Sequence, residues 1–115
     1  MENDLEKLKK ITQQLRDPLT GCPWDIEQTF DSIAYCSIEE AYEVVEAIEE
    51  KDYEQLKSEL GDLLFQVIFH SEIANEKNLF NFDDIVESIS TKLISRHPHV
   101  FGDEKINDAK TQTDQ

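Results

Sequence analysis

The sequence has few residues that turn, kink or cross-link a chain: three glycines, three prolines and two cysteines among 115 residues. So few turn-forming residues argue against an all-β fold, and three glycines are too few for a glycine-rich phosphate-binding loop. The two cysteines, Cys22 and Cys36, form neither a C-x-x-C motif nor a disulfide framework. We therefore expect reduced thiols in a cytoplasmic protein.

Positive charge is also scarce, because 26 acidic residues outnumber 11 basic ones and give a formal net charge of -15. A chain this negative is not expected to bind nucleic acid, whereas it suits metal cations or phosphate compounds that carry them. No apolar run reaches the roughly 18 residues of a membrane span, and the charged N-terminus does not resemble a signal peptide. We therefore expect neither a nucleic acid nor a membrane as partner.

What the sequence does contain is the three- and four-residue spacing of apolar side chains that is typical of helices. The prolines and the glycine in residues 17–28 predict a loop, and Pro98 ends the last periodic stretch. Gln55 stands in a capping-box position. The candidate helix caps are Asn3 or Asp4, Thr29 or Asp31, Asp52, and Asn81. The four predicted helices cover residues about 4–16, 30–50, 53–76 and 82–96.

This pattern predicts an all-α fold, a four-helix bundle in residues 1–103 followed by a polar, mobile tail at 104–115. The third predicted helix is apolar on almost every side, and such a helix is normally buried. Since a 115-residue monomer offers little to cover it, we expect dimerisation to complete the bundle. The predicted core stripe of the second helix is Ile33, Ala34, Ile38, Ala41, Val44, Val45 and Ile48.

The second and third predicted helices each carry two acids spaced three residues apart, about 4.5 Å along the axis. Glu40 and Glu43 lie at the edge of the core stripe of the second helix, and Glu59 and Asp62 lie between two apolar faces of the third helix. If the two helices pair antiparallel, the four carboxylates face one another and suit Mg²⁺ or Mn²⁺. Acids at this spacing are more often solvated surface, and that alternative stays open at this point.

Two basic residues and the single tryptophan each allow two interpretations. Lys92 and Arg96 share the apolar stripe of the fourth predicted helix, where they either snorkel to water or point towards the acids to hold a phosphate substrate. Trp24 is either a lid on the core or an aromatic platform for a base. The three histidines are interpreted as structural residues.

Four segments carry a distinctive combination of motifs. They are GCPWDIEQTFDSI at 21–33, EEAYEVVEAI at 39–48, ELGDLLFQVIFH at 59–70 and KLISRHPHVF at 92–101. In order and spacing they resemble the MazG family of nucleoside triphosphate pyrophosphohydrolases, over about residues 5–103. The EExxE and ExxD motifs are moderately specific for this family, and together with GCPWD and RHPHVF they are highly specific.

The resemblance implies an all-α four-helix unit that forms a dimer or a dimer of dimers. It also implies Mg²⁺-dependent hydrolysis of nucleoside triphosphates, of broad base specificity, to monophosphate and pyrophosphate. The implied metal ligands are Glu40, Glu43, Glu59 and Asp62. Glu39 would assist a second ion or the attacking water, and Lys92 and Arg96 would contact the phosphates. Trp24 falls within one of the motifs and is a candidate contact of the base.

The sequence departs from the family pattern after residue 102, where members of this type usually continue into a stretch with a tryptophan and lysines. Two alternative functions stay open. The first is a narrower enzyme of the same superfamily, acting on dUTP, dCTP or a phosphoribosyl nucleotide, although GCPWD and RHPHVF argue against it. The second is a truncated, non-catalytic helical module that binds metal or a partner.

Overall fold

Four long helices begin where the sequence supplies a side chain that caps free backbone N–H groups. The computed structural model describes residues 2–102. Its elements are α1 (Asp4–Leu15), α2 (Pro23–Glu27), α3 (Phe30–Glu49), α4 (Tyr53–Glu76), α5 (Phe82–Ser95) and α6 (Pro98–Phe101). The caps Asn3, Thr29, Asp52 and Asn81 each accept from the N–H three residues further on. The four predicted helices are confirmed, and the described residues contain no strand, so the all-α class is confirmed as well.

Two short helices, α2 and α6, lie where the sequence predicts none. The prediction of a loop over 17–28 is wrong for the five residues of α2. Both helices begin with a proline, Pro23 or Pro98. Proline is tolerated at the first helical position, because its missing N–H would have no intrahelical partner there. The same residue type can therefore end one helix and begin the next.

The chain divides into two compact units, Met1–Leu79 and Phe80–Gln115. In the first unit, α4 packs against both α3 and α1. In the second unit, α5 packs against α6. The single domain over residues 1–103 stays a prediction, and the predicted tail at 104–115 lies outside the described residues. None of the described helices is both long enough and apolar enough to cross a membrane.

The connection between α3 and α4 is only three residues long and folds the two helices into an antiparallel hairpin. Lys51 adopts a left-handed conformation with φ of 57°, and the Asp52 N–H donates to the Ala47 carbonyl at 3.1 Å. Early α3 residues consequently meet late α4 residues, as in the buried cluster that contains Ile33 and Phe69. The same pairing brings the middle of α3 against the first half of α4, where the acids lie.

The side of α3 that packs against α4 coincides only in part with the predicted core stripe. The seam runs through positions 33, 37, 40, 44 and 47, of which Ile33 and Ala47 are buried. The rest of the predicted stripe, apart from the half-buried Val44, is exposed: Ala34, Ile38, Ala41, Val45 and Ile48. The prediction is therefore wrong within the single chain for these five residues, because α4 covers an adjacent side of α3 that includes Ser37 and Glu40. On α4 itself, Leu60, Leu64 and Val67 are exposed as well.

Candidate metal centre

Three carboxylates converge in the seam between α3 and α4. One oxygen from each of Glu40, Glu59 and Asp62 lies within 4.8 Å of the other two. Glu59 is buried with 8% of its surface exposed, Glu40 is half-buried, and Asp62 is exposed. The cluster is therefore closed on the side of Glu59 and accessible to solvent on the side of Asp62.

The environment of the Glu40 carboxyl is unfavourable for an anion without a partner. Its Oε2 atom is buried and has no hydrogen-bond partner. Burial raises the pKa of Glu40, and the charge of Asp62, a side-chain hydrogen bond with Glu59, and the charges of Glu59 and Glu43 raise it further. A carboxylate removed from water and placed beside like charges is costly unless a cation neutralises the group.

Glu59 is held in place by Gln55, one turn earlier on α4. The Gln55 side-chain amide donates to Glu59 Oε1 at 2.5 Å. The backbone N–H of Gln55 donates to Asp52, as predicted. The predicted capping box is wrong, however, because the Asp52 N–H that it would engage donates to the Ala47 carbonyl instead. The side chain of Gln55 thus supports the acid cluster rather than the start of the helix.

The remaining predicted acids lie on the solvent side of this cluster. Glu43 is exposed and is not one of the three clustered residues, although its charge contributes to the raised pKa of Glu40. Glu39 is exposed beside Glu40. The structure therefore brings together three of the four predicted ligands, and a ligand role for Glu43 stays a prediction.

The three clustered side chains fit a hard divalent cation. Mg²⁺ and Mn²⁺ are bound mainly by carboxylate, carbonyl and water oxygens, and these side chains offer only carboxylates. The fit rests on the buried, unpaired oxygen of Glu40 and on the 4.8 Å cluster, rather than on the acidic composition of the chain.

A second polar group lies in the same seam, one turn away from the acids. Ser37 Oγ donates to Gln66 Oε1 at 3.3 Å and lies 3.1 Å from His70 Nε2. The Phe30 ring stacks on His70 with centroids 6.0 Å apart, and burial lowers the pKa of His70. Ser37 is not among the predicted site residues, although its position three residues before Glu40 places it on the same helix face.

The predicted cations Lys92 and Arg96 belong to the second unit. Both are exposed, and Arg96 is the C-terminal cap residue of α5. Lys92 lines a groove of about 420 Å³ together with Phe80 and Ile89. A position beside apolar side chains at an exposed groove fits the snorkelling interpretation. A role of either cation at the phosphates stays a prediction.

Trp24 lies on α2 in the first unit. Its side chain is 59% exposed, which does not fit a lid on the core. An exposed indole remains available for contact with a planar ligand. That role also stays a prediction.

Comparison with known proteins adds a family match. A family model described as the MazG nucleotide pyrophosphohydrolase domain matches residues 28–101, a range that includes all of the acids discussed above. The nucleoside triphosphate pyrophosphohydrolase of Escherichia coli (strain K12) is 54% identical over 101 residues, which make up 88% of this chain and 38% of that protein.

Two further relatives show similar agreement. The nucleoside triphosphate pyrophosphohydrolase/pyrophosphatase MazG of Thermotoga maritima is 50% identical over 98 residues, or 85% of this chain and 38% of that protein. The nucleoside triphosphate pyrophosphohydrolase of Mycobacterium tuberculosis is 41% identical over 104 residues, which make up 89% of this chain and 32% of that protein. The chain thus spans between 32% and 38% of the length of these relatives.

Proposed function

Because the chain belongs to the MazG nucleotide pyrophosphohydrolase domain family, we propose that it hydrolyses nucleoside triphosphates to nucleoside monophosphates and pyrophosphate. The observation that carries the proposal is the convergence of Glu40, Glu59 and Asp62 within 4.8 Å in the seam of the α3–α4 hairpin. The names of the Escherichia coli and Thermotoga maritima relatives specify this activity for those proteins.

The proposed cofactor is Mg²⁺, with Mn²⁺ as a substitute, held by the three clustered acids and by Glu43 as a fourth ligand. When bound, a divalent cation supplies Lewis acidity towards phosphoryl oxygens and lowers the pKa of coordinated water. The buried oxygen of Glu40 without a hydrogen-bond partner supports this assignment, because a cation would satisfy it.

The other predicted residues take distinct roles in the proposed reaction. A water attacks the α-phosphorus, the bond from that phosphorus to the α,β-bridging oxygen breaks, and the oxygen leaves with pyrophosphate. Glu39, exposed beside Glu40, accepts a proton from the attacking water. Lys92 and Arg96 offset the charge that develops on pyrophosphate.

Trp24 is proposed to stack on the base of the nucleotide. Its indole is exposed enough to do so, at 59%. Stacking tolerates any base, because every base has a π-face. This contact therefore supports broad rather than narrow base specificity.

We also propose that a second copy of the chain covers the exposed apolar side chains of α3 and α4, giving a homodimer or a dimer of dimers. Ile38, Val45 and Leu64 are among these exposed side chains. Leu64→Glu is expected to lower the sedimentation coefficient, whereas Leu19→Glu, at a side chain that is 93% exposed, should leave it unchanged.

The cytoplasm is the proposed location, where thiols such as the unpaired Cys22 and Cys36 stay reduced.

Product analysis tests the activity. The protein is incubated with Mg²⁺ and a panel of ribo- and deoxyribonucleoside triphosphates, and the products are separated by anion exchange. We expect monophosphate and pyrophosphate from most bases, loss of turnover with a chelator, and loss with Asp62→Asn. Glu46→Gln, at an exposed acid of α3 outside the cluster, is the matched control.

Three other outcomes would contradict the proposed reaction or favour one of the alternative functions. Release of orthophosphate instead of pyrophosphate would refute the proposed reaction. Turnover confined to dUTP, dCTP or a phosphoribosyl nucleotide would indicate the narrower enzyme. A Mg²⁺-dependent rise in melting temperature without any turnover would indicate a non-catalytic metal-binding module.

A further inference from the structure

One guanidinium joins three segments of the first unit. Arg16 follows α1, and only 8% of its side chain is exposed. Its Nε and Nη2 atoms donate to the two carboxylate oxygens of Glu76, both at 2.7 Å. Its Nη1 atom donates to the backbone carbonyls of Asp25 at 2.6 Å and Gln28 at 3.0 Å. The guanidinium also lies 5.3 Å from the centroid of the Phe69 ring.

The short helix α2 depends on this side chain for its position. A helix of five residues is not stable by its own hydrogen bonds, and none of the residues of α2 is buried. The approach to α2 is secured by backbone contacts, in which the Cys22 N–H donates to the Leu15 carbonyl at 2.8 Å. The end of α2 is secured by Arg16, through the carbonyls of Asp25 and Gln28.

A chain of contacts continues from Arg16 to the tryptophan. Arg16 holds the backbone carbonyl of Gln28, and the side-chain amide of Gln28 donates to the backbone carbonyl of Trp24 at 2.7 Å. The indole itself is exposed. The backbone that carries the Trp24 side chain is therefore held through Gln28 and Arg16.

We propose that Arg16 is a positioning residue, which fixes α2 so that Trp24 presents its indole to the base of a nucleoside triphosphate. The inference rests on the proposed function, because it assigns Arg16 to the same nucleotide site. Arginine suits this task because its planar fork donates in several fixed directions, whereas lysine is a point charge on a flexible stem.

The first experiment follows the tryptophan directly. Trp24 is the single tryptophan of the chain, so the fluorescence anisotropy decay reports on α2 alone. We expect Arg16→Lys to increase the amplitude of fast depolarisation, because lysine cannot hold Glu76 and both carbonyls together. Glu76→Gln, the matched control, leaves the two carbonyl bonds in place and should stay close to the unmodified protein.

The second experiment connects this motion to ligand binding. Calorimetry measures the Kd of an α,β-methylene nucleoside triphosphate with Mg²⁺, an analogue in which the bond that would break is blocked. Arg16→Lys is expected to weaken binding about tenfold, which corresponds to about 1.4 kcal/mol. With a hydrolysable substrate, KM should rise while kcat stays unchanged. In a Trp24→Ala background, Arg16→Lys should have no further effect.

Three results would overturn the inference. They are an unchanged anisotropy decay in Arg16→Lys, an equal loss of affinity with and without Trp24, and failure of the analogue to bind the unmodified protein. Should Arg16→Lys fail to fold, Gln28→Ala must produce both effects, because it removes the side-chain bond to Trp24 and leaves the carbonyl for Arg16. If no pyrophosphate is released, the proposed function fails, while anisotropy and analogue binding still decide the role of Arg16.

Discussion

Neutralising Glu40 should stabilise the metal-free protein and weaken its response to Mg²⁺. Without a cation, the three clustered carboxylates repel one another, and Glu40 is the one with a buried, unpaired oxygen. Glu40→Gln keeps the shape of the side chain and removes one of the three charges. Its amide can also donate a hydrogen bond to Glu59 or Asp62.

Coulomb's law gives the size of the effect. Two unit charges 4.8 Å apart repel by about 3.5 kcal/mol at an effective dielectric constant of about 20, and by about 0.9 kcal/mol in water. Because Asp62 is exposed, the lower figure is the better guide, and we expect a gain of about 1 kcal/mol. For a domain of this size that gain raises the melting temperature by about 4 °C.

Scanning calorimetry with chelator and with Mg²⁺ measures both effects. A cation present at about 100 times its Kd stabilises the protein by about 2.7 kcal/mol, and the variant, which lacks one ligand, should gain less. We therefore expect Glu40→Gln to melt at a higher temperature than the unmodified protein in chelator, and at a lower temperature in Mg²⁺. Glu46→Gln removes one exposed charge from the same helix, so it should not reverse the order. A lower melting temperature of Glu40→Gln in chelator would refute the reasoning.

Four further predictions follow from the surroundings of individual residues. Gln55→Ala should lower Mg²⁺ affinity about tenfold in calorimetric titrations, because the bond to Glu59 is lost. Burial lowers the pKa of His70 below 6.5, so the unfolded chain binds a proton at a higher pH than the folded chain does. The contribution of His70 to the free energy of unfolding should therefore be complete above about pH 6.5 and be lost as the pH falls through the lowered pKa. Urea titrations across this range should show a smaller decline in His70→Gln. Gly61→Ala should raise the free energy of unfolding by about 1 kcal/mol, because its Cβ meets no atom within 4 Å, and a decrease would mean that a ligand or second chain occupies that space. Gly21→Ala should instead destabilise, because its Cβ would lie 2.4 Å from the Leu15 carbonyl oxygen.

The first residues of the long helices could be predicted because N-terminal capping is a local interaction. Asn3, Thr29, Asp52 and Asn81 each bond to a backbone N–H only three residues away. The prolines at the start of α2 and α6 misled the prediction, because a proline that stops one helix is equally suited to begin another.

The buried face of α3 could not be predicted, because its choice depends on the partner helix. Packing against α4 selects a seam that keeps Ile33 of the predicted stripe but also includes the polar residues Ser37 and Glu40, which an apolar pattern does not indicate. That selection also moves Glu40 from the predicted edge into the seam. The acid spacing thus identified Glu40, Glu59 and Asp62, while the outward placement of Glu43 required the packed helices.

The contacts of Arg16 could not be predicted from any local pattern. Its carboxylate partner, Glu76, is 60 residues away, and its other partners are backbone carbonyls that carry no sequence signal. The partner of the Gln55 side chain could not be predicted for a different reason. The backbone N–H of Asp52 and the carboxylate of Glu59 are both within reach along the same helix, and the side chain bonds to Glu59.

The three-residue connection between α3 and α4 also has a consequence for how the chain folds. Short-range contacts form quickly because little chain entropy is lost in closing them. The acids of the metal centre therefore meet as soon as the helical hairpin closes, without waiting for distant parts of the chain. Their mutual repulsion opposes this early step, so a divalent cation should speed folding as well as slow unfolding.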